Sequence, residues 1–254
     1  MASRHRVVLT VNGTTLDLAV QVWGDGRPEI VFLHDGLGSI SQWRNVPERV
    51  HEETGATLLA YERAGHGSST PVPTGRWPPD WLHREAEVLA ALLIEVSADR
   101  PLLVGHSDGG SISLIAAANL ADVRGVVSLA AHSWVEQVCV DSIAAMRETQ
   151  TRYIKGLSRD HHHPVEVFEA WSGVWVSSEF RAWDIRDRLG AITVPVIVAQ
   201  GDGDEYASVE HVSSTVEAIG ENATGRLLPG VGHLVHHQDA DAVIELVADA
   251  FVAI

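Results

Sequence analysis

The amino-acid sequence predicts an α/β fold, in which a mostly parallel sheet carries helices on both faces. Short apolar runs alternate with longer segments of helical periodicity along most of the chain, as in folds built from repeated strand–helix units. The runs are continuously apolar, which is typical of strands covered on both sides. The chain has 254 residues, 45% of them hydrophobic, which is enough for the core of one domain with or without an insertion.

Eight strands are expected from these runs. Residues 6–11 and 16–24 form an opening hairpin joined through Asn12 and Gly13, a dipeptide that favours tight hairpin turns. The other six expected strands are the runs at 30–34, 57–61, 102–105, 123–130, 194–201 and 224–230.

Helices are expected where apolar residues recur every three or four positions. The segment 109–118 is a run of small and apolar residues that follows a strand. A helix after Asp80 has one face that carries Leu82, Ala86, Leu89, Leu93 and Val96. Asp239 is the expected N-cap of the final helix, one side of which carries Val243, Val247 and Phe251.

The alternation stops between residues 132 and 189, where no strand pattern is found. We expect a helical cap insertion over 132–189, between a first core part at 1–131 and a second at 190–254. The interval holds half of the tryptophans, namely Trp134, Trp171, Trp175 and Trp183.

An aromatic stripe marks one helix of this insertion. Phe168, Trp171 and Trp175 are spaced i, i+3 and i+7, which places them on one helical face. The stripe either packs the insertion onto the core or lines a pocket beneath it, and a lid helix can do both.

Net charge and cysteine content indicate which partners and which cellular compartment to expect. The formal net charge of −16 argues against nucleic acid or an anionic membrane as partner, because both repel acidic proteins, so a small-molecule substrate is expected. Cys139 is the only cysteine, which rules out an internal disulfide and indicates a reducing compartment. The sequence shows no signal peptide and no apolar run long enough to span a membrane. A cytoplasmic location follows, and no oligomeric state is predicted.

The stretch GHSDGG, residues 105–110, places two candidate nucleophiles side by side. Gly-x-Ser-x-Gly alone is a weak signal, but here it joins an apolar strand to a helix. A sharp strand-to-helix turn strains its middle residue and needs glycine two positions to either side. Gly105 and Gly109 meet that need, so Ser107 is the expected nucleophile. Asp108 then contributes its backbone N–H at a helix N-terminus, where developing negative charge is stabilised.

A serine nucleophile needs a base, and the base needs an orienting acid. His233 follows the last strand through a tight glycine turn. This position favours His233 as the base, although it could instead be a surface histidine. The loop after the preceding strand offers Asp202 and Asp204 as the acid. The chain order is therefore serine, acid, histidine.

These motifs resemble the α/β-hydrolase superfamily over nearly the whole chain. The resembling stretches are FLHDGLGS (32–39), ERAGHGSS (62–69), the serine turn, QGDGDE (200–205) and GVGH (230–233). The resemblance implies an α/β-hydrolase fold, with an eight-stranded, mostly parallel sheet and a small helical cap. It favours Asp204 over Asp202 as the acid and Gly36 as the second oxyanion N–H donor. The HDGLGS motif is similar to that of a bacterial subgroup with an acidic residue in this loop.

Asp35 stands where glycine is usual in the family. A carboxylate ~5 Å from an oxyanion would cost about 3 kcal/mol at an effective dielectric near 20. Asp35 is therefore expected to point away from the oxyanion, to pair with His34 or Arg63, or to be protonated.

The resemblance implies a carboxylic ester hydrolase that works by acyl transfer to water and uses neither cofactor nor metal. Acidic residues around the serine favour small, neutral, apolar esters or lactones over anionic ones. The residues expected to line the pocket are His34, Asp35, His132, Trp134, Trp171 and Trp175.

The same fold supports other activities. Dehalogenases and epoxide hydrolases carry an aspartate where this chain has Ser107, which sets them aside. Cofactor-free dioxygenases, lyases and C–C bond hydrolases, and ligand-binding receptors that keep the three residues, stay open as alternatives.

Most of the remaining histidines are expected to lie at the surface. The run at 161–163 suggests a metal site, but three consecutive side chains cannot all face one ion on a regular backbone, and no second cluster accompanies them. A solvated loop is expected there. His106 is expected to pack beside the nucleophile, and His236 and His237 to lie on a solvated loop or helix start.

Overall fold

Eight strands form a single sheet in the computed structural model, which describes residues 2–71 and 76–253. In chain order the strands are β1 (Ser3–Val11), β2 (Thr14–Trp23), β3 (Ile30–Leu33), β4 (Leu58–Tyr61), β5 (Leu102–His106), β6 (Gly125–Leu129), β7 (Val196–Gly201) and β8 (Ala223–Leu228).

The strands are ordered β1, β2, β4, β3, β5, β6, β7, β8 across the sheet. Only the pairs of β2 with β1 and with β4 are antiparallel, so the prediction of a mostly parallel sheet is confirmed for the described residues. Asn12 and Gly13 close the β1–β2 hairpin with φ angles of 51° and 78°. Both residues are left-handed, as a type I′ turn requires.

From β3 onward each strand is followed in the chain by one or more helices, and one short 3₁₀ helix spans Ile40–Trp43. None of the described helices combines the length and apolar character needed to cross a bilayer. The α-helices are α1 (Val46–Thr54), α2 (Trp81–Glu95), α3 (Asp108–Asn119), α4 (Gln137–Glu148), α5 (Gln150–Leu157), α6 (Pro164–Trp175), α7 (Arg186–Leu189), α8 (Glu210–Ile219), α9 (Val235–Gln238) and α10 (Ala240–Ala253).

The sheet is covered on both faces, as the continuous apolar runs predict. Alternate side chains of β3 enter different cores, because successive residues of a strand point to opposite sides. Ile30 and Phe32 belong to the core that contains side chains of α1 and α10. Val31 and Leu33 belong to the core that contains side chains of α2 and α3.

Two of the expected helices, α2 and α10, have the features that the sequence predicts. The predicted face of α2 is buried from Leu82 to Leu93, and Val96 is the half-buried C-cap. Asp239 caps α10, since its Oδ1 accepts the N–H of Ala242 at 3.1 Å.

The helices α4 to α7 lie between β6 and β7. A single bridge between Trp134 and Asp184 joins the beginning and end of this segment. The stripe of Phe168, Trp171 and Trp175 is buried on α6 and belongs to the same core as α2 and α3. The boundaries at 132 and 189 remain predictions.

Candidate active site

Ser107 lies on a tight turn between β5 and α3. Its φ of 54° is in the left-handed region, which costs free energy for a residue with a side chain. A Cβ at Gly105 or Gly109 would overlap the backbone of Gly109 or Leu33, so only glycine allows this close approach. The turn presents the serine hydroxyl at the carboxyl end of β5, and the residue is 7% exposed.

His233 lies within hydrogen-bonding distance of Ser107, although the two are far apart in sequence. The serine Oγ donates to His233 Nε2 at 3.0 Å. On the other side of the ring, Nδ1 donates to Asp204, with Oδ2 at 2.9 Å and Oδ1 at 3.0 Å. The Asp204 side chain is fully buried, and its Oδ1 also accepts the N–H of Tyr206 at 2.8 Å.

Asp202, the alternative acid, makes a different contact. Its Oδ1 accepts the N–H of Gly230 at 2.7 Å and so ties together the loops after β7 and β8. The geometry therefore brings Asp204, and not Asp202, to His233.

The environment of His233 stabilises its charged form. Burial lowers the pKa of the imidazole, but the hydrogen bond and negative charge of Asp204 outweigh burial, so the net pKa lies above the ordinary value of 6.5. A positive charge that forms on His233 is thus stabilised where it arises.

Two further residues contact His233 that were not singled out from the sequence. Glu205 Oε2 accepts the N–H of His233 at 3.0 Å, and the Tyr206 ring lies 4.7 Å from the imidazole ring. Both residues could have been predicted from their position next to Asp204, because a loop that places one side chain in the site also brings neighbouring residues close to it.

Gly36 lies opposite the serine turn, on the loop of residues 34–38 that follows β3, here called the oxyanion loop. A side chain at position 36 would overlap the Trp171 indole and the Asp108 carboxylate. Asp108 is the first residue of α3, so its N–H has no acceptor within the helix. The two residues expected to donate N–H groups therefore lie on neighbouring loops.

The Asp108 side chain faces Trp171 of the insertion. Its Oδ2 accepts the indole N–H at 2.9 Å. Burial raises the pKa of this carboxyl to about 7, although the Arg63 charge and the Trp171 hydrogen bond act in the opposite direction.

The partner of Asp35 differs from the expectation. His106, rather than His34 or Arg63, lies next to the carboxylate, with Nδ1 at 3.5 Å from Oδ2, and Oδ1 accepts the N–H of Leu37 at 2.9 Å. Burial raises the pKa of Asp35, but the nearby imidazole lowers it more, and the net pKa lies far below its usual range. Asp35 is therefore ionised and not protonated.

Arg63 and His34 bind the backbone of the oxyanion loop instead of the Asp35 carboxylate. The fully buried guanidinium donates to the carbonyl oxygens of His34 at 2.5 Å and of Asp35 at 2.7 Å. His34 Nδ1 donates to the Asp35 carbonyl at 2.7 Å, and Nε2 accepts the N–H of Arg63 at 3.1 Å.

A cavity of about 290 Å³ opens above Ser107. Its wall includes eight of the residues predicted for the site: Asp35, Gly36, Ser107, Asp108, His132, Trp171, Trp175 and His233. The other lining residues are Leu37, Gln42, Cys139, Ile143, Met146, Tyr153, Leu157, Glu205, Tyr206 and Leu234.

Two predicted pocket residues lie outside this cavity. The ring of His34 is occupied by the backbone contacts described above. Trp134 stacks on His211 with ring centroids 3.6 Å apart, and the Arg186 guanidinium covers it at 4.3 Å. Trp134 therefore packs where the insertion meets α8, and its assignment to the pocket was wrong.

Several histidines are more buried than expected. His106 packs beside the site as predicted, and its Nε2 also donates to the His233 carbonyl at 2.8 Å. His236 was expected in solvent but is 2% exposed, with its ring 4.7 Å from Trp43. His237 is half-buried and donates to the Gln42 carbonyl at 2.7 Å.

The histidine run at 161–163 is only partly solvated. His162 and His163 are exposed, whereas His161 is buried against the oxyanion loop. Across residues 2–71 and 76–253, no group of three or more histidine, cysteine or acidic side chains is arranged to hold a metal ion.

Comparison with known proteins extends this description. A curated 2-succinyl-6-hydroxy-2,4-cyclohexadiene-1-carboxylate synthase of Salmonella agona (strain SL483) is 25% identical over 257 residues, covering 88% of this chain and 93% of that protein. The enol-lactonase of Burkholderia xenovorans LB400 matches with a TM-score of 0.75 at 22% identity, covering 96% of this chain and 99% of that one.

A thermophilic esterase from Thermogutta terrifontis matches with a TM-score of 0.73 at 17% identity, and the match covers 97% of both chains. These structural similarities confirm the predicted α/β-hydrolase fold. The model of the alpha/beta hydrolase family matches residues 30–246. Because this match spans most of the sequence, the chain belongs to the alpha/beta hydrolase family.

Proposed function

We propose that this chain is a serine hydrolase that cleaves a carboxylic ester or lactone of a small, mainly neutral and apolar substrate. The observation that carries the proposal is the hydrogen-bond chain from Ser107 Oγ through His233 to Asp204, with links of 3.0 and 2.9 Å. A hydroxyl, an imidazole and a carboxylate in this order form the arrangement that activates serine for acyl transfer.

The groups of the site have distinct roles in the proposed reaction. His233 Nε2 takes the Ser107 proton while Oγ attacks the substrate carbonyl, and Asp204 keeps the remaining ring proton on Nδ1. The N–H groups of Gly36 and Asp108 stabilise the oxyanion. The protonated His233 then gives its proton to the leaving alcohol. Water, activated by the same base, finally releases the acid from Ser107.

The chemistry of the cavity wall supports a neutral substrate. Among the described residues that line the cavity there is neither lysine nor arginine, whereas Asp35, Asp108 and Glu205 contribute carboxyl groups. Much of the remaining wall is aliphatic or aromatic. A substrate carboxylate would lose its hydration without gaining a cationic partner, which costs free energy.

A reaction other than hydrolysis at the same groups is the second candidate. It is favoured by the match to curated relatives named as a synthase of a succinyl-substituted cyclohexadiene carboxylate. That name describes a product with carboxylate groups, and the described residues of the cavity wall include neither lysine nor arginine to pair with them. We therefore rank hydrolysis of a neutral ester first.

A fluorophosphonate reagent tests the proposal, because it phosphonylates a serine that a neighbouring base activates. We expect a covalent mass increment on the peptide that contains Ser107, together with turnover of a 4-nitrophenyl ester. Ser107→Ala should lose both. An unlabelled protein that still binds ester would contradict acyl transfer and favour base chemistry by His233 and Asp204 alone.

A further inference from the structure

The oxyanion loop is held by side chains at four consecutive carbonyl oxygens. Arg63 binds those of His34 and Asp35, as described above. His66 Nε2 lies 3.0 Å from the Gly36 carbonyl, and His161 Nε2 lies 3.0 Å from the Leu37 carbonyl. Because a peptide is planar and trans, holding the C=O of one residue also fixes the N–H of the next residue. Arg63 and His34, at the Asp35 carbonyl, therefore fix the Gly36 N–H directly, and His161, at the Leu37 carbonyl, fixes the far end of the loop two peptides further on.

His161 is the member of this set that the insertion supplies. It lies between α5 and α6, 124 positions after Leu37. Neighbouring contacts dock the same segment on the core. The His162 N–H donates to the Gly67 carbonyl at 2.9 Å, and Asp160 Oδ1 accepts the Ser41 hydroxyl at 2.6 Å.

The contacts of His161 determine which ring nitrogen carries the proton. Nδ1 accepts the N–H of Gly67 at 3.0 Å, so the proton lies on Nε2, which donates to Leu37. Burial lowers the pKa of this imidazole, which favours the neutral ring that this arrangement requires. The ring thus connects two core loops, residues 34–38 and 62–69, and its two nitrogens have different roles.

The insertion also packs against the loop from the cavity side. A side chain at Gly36 would meet the Trp171 indole, so α6 packs against the loop at Gly36 while His161 binds its backbone at Leu37. Two contacts from the insertion therefore hold the loop at Gly36 and Leu37, in addition to the contacts of Arg63 and His34 with the peptide that carries the Gly36 N–H.

We infer that His161 is a positioning residue that holds the oxyanion loop, and with it the Gly36 N–H, in the orientation that stabilises the oxyanion. This inference rests on the proposed function and assigns a role to the buried member of the histidine run. The cap insertion then affects reaction rate through the backbone of the core, separately from the side chains that line the cavity.

The test compares His161→Phe with wild type. Phenylalanine keeps an aromatic ring in the packing and removes both nitrogens. Outright removal of an oxyanion donor costs on the order of 10²–10³ in kcat, and a displaced donor should cost less, so we expect kcat for a neutral 4-nitrophenyl ester to fall about tenfold, with KM nearly unchanged. Rates are expressed per active site titrated with fluorophosphonate, which removes any contribution from unfolded protein.

Two further measurements separate positioning from general structural damage. A phenylboronic acid forms a tetrahedral adduct with serine, so its inhibition constant should rise by the same factor as kcat falls. His161→Gln, which keeps one donor and one acceptor, should restore part of the loss. His162→Ala is the matched control, because that exposed neighbour contacts the core through its backbone.

The outcomes distinguish the two proposals. Wild-type kcat and boronic acid affinity in His161→Phe would overturn the inference, and so would a change confined to KM. If His161→Phe does not fold, the same comparison with His161→Ala decides. If the wild-type protein does not hydrolyse esters, the proposed function is overturned. If the wild type is active and His161→Phe is equally active, only the role of His161 is overturned.

Discussion

Asp202 and Asp204 lie on the same loop after β7, yet their carboxylates do different things. Asp204 accepts the Nδ1 proton of His233, which leaves Nε2 free to accept from Ser107. Asp202 closes the neighbouring loop by accepting the N–H of Gly230. Two carboxylates only two positions apart thus have different roles: one sets the imidazole tautomer and the other shapes a turn.

Asp204→Asn should lower kcat for a neutral ester by a factor on the order of 10⁴, because an amide can hold the imidazole in the wrong tautomer. Asp202→Asn, the matched control, should remain close to wild type. Steady-state kinetics of both variants give the comparison. Loss of activity in Asp202→Asn alone would make our choice of acid wrong.

Ser107→Ala and His233→Ala should each be as inactive as the double variant, since the groups act as a unit.

The residues brought together at the site were largely predictable, and their partners were not. Ser107 and His233 could be found because glycine turns after strands leave local signals. The contact of Asp35 with His106 and the burial of His161 depend on segments that meet only in the folded chain. Local sequence describes the backbone at such positions, whereas the direction of a side chain depends on packing from distant elements.

Among the elements, α6 contributes both to the core and to the cavity wall. Its buried stripe belongs to the core, and Trp171 and Trp175 from the same stripe also line the cavity. The stripe therefore both packs the insertion onto the core and lines the cavity. The strands were predictable because both faces of β3 to β6 are buried, which leaves continuous apolar runs. No comparable sequence pattern predicts which residues the helices of the insertion contact. For this reason Trp134 was predicted to line the pocket, whereas it packs outside the cavity.

Trp175→Ala should change the preference between long and short acyl esters. Removing the indole enlarges the cavity, so kcat/KM for a long-chain ester relative to a short-chain ester should rise roughly tenfold. The same change should lower the free energy of unfolding by about 3–5 kcal/mol, because a large buried side chain is lost. Kinetics with a series of acyl chains and thermal unfolding measure the two effects.

Trp134→Ala is the control for this experiment, since that residue packs on His211 outside the cavity. It should leave the chain-length preference unchanged. If Trp175→Ala reduces turnover equally for every ester while stability falls, the stripe serves packing alone.

At the scale of the whole molecule, charge acts on the substrate before any contact is made. The formal net charge is −16, and the carboxyl groups of Asp35, Asp108 and Glu205 lie on the cavity wall. An anionic substrate therefore meets an unfavourable potential during approach and again inside the cavity.

A carboxylated ester should be hydrolysed more slowly than a neutral ester of matched shape, and salt should narrow the difference. The screening length falls from ~10 Å at 0.1 M to ~3 Å at 1 M ionic strength, so kcat/KM for the anionic ester should rise with salt while that for the neutral ester changes little. Parallel kinetics at the two ionic strengths measure this. A clear preference for the carboxylated ester would refute the assignment of a neutral substrate.

The bridge between Trp134 and Asp184 brings the two ends of the insertion side by side. A segment that leaves and re-enters the core at neighbouring points can be exchanged during evolution for one of another length without moving β6 or β7. Such an exchange would also replace His161 and Trp171, which contact the oxyanion loop and the serine turn. Under the role that we propose for His161, a descendant with a new cap would change substrate specificity and reaction rate together.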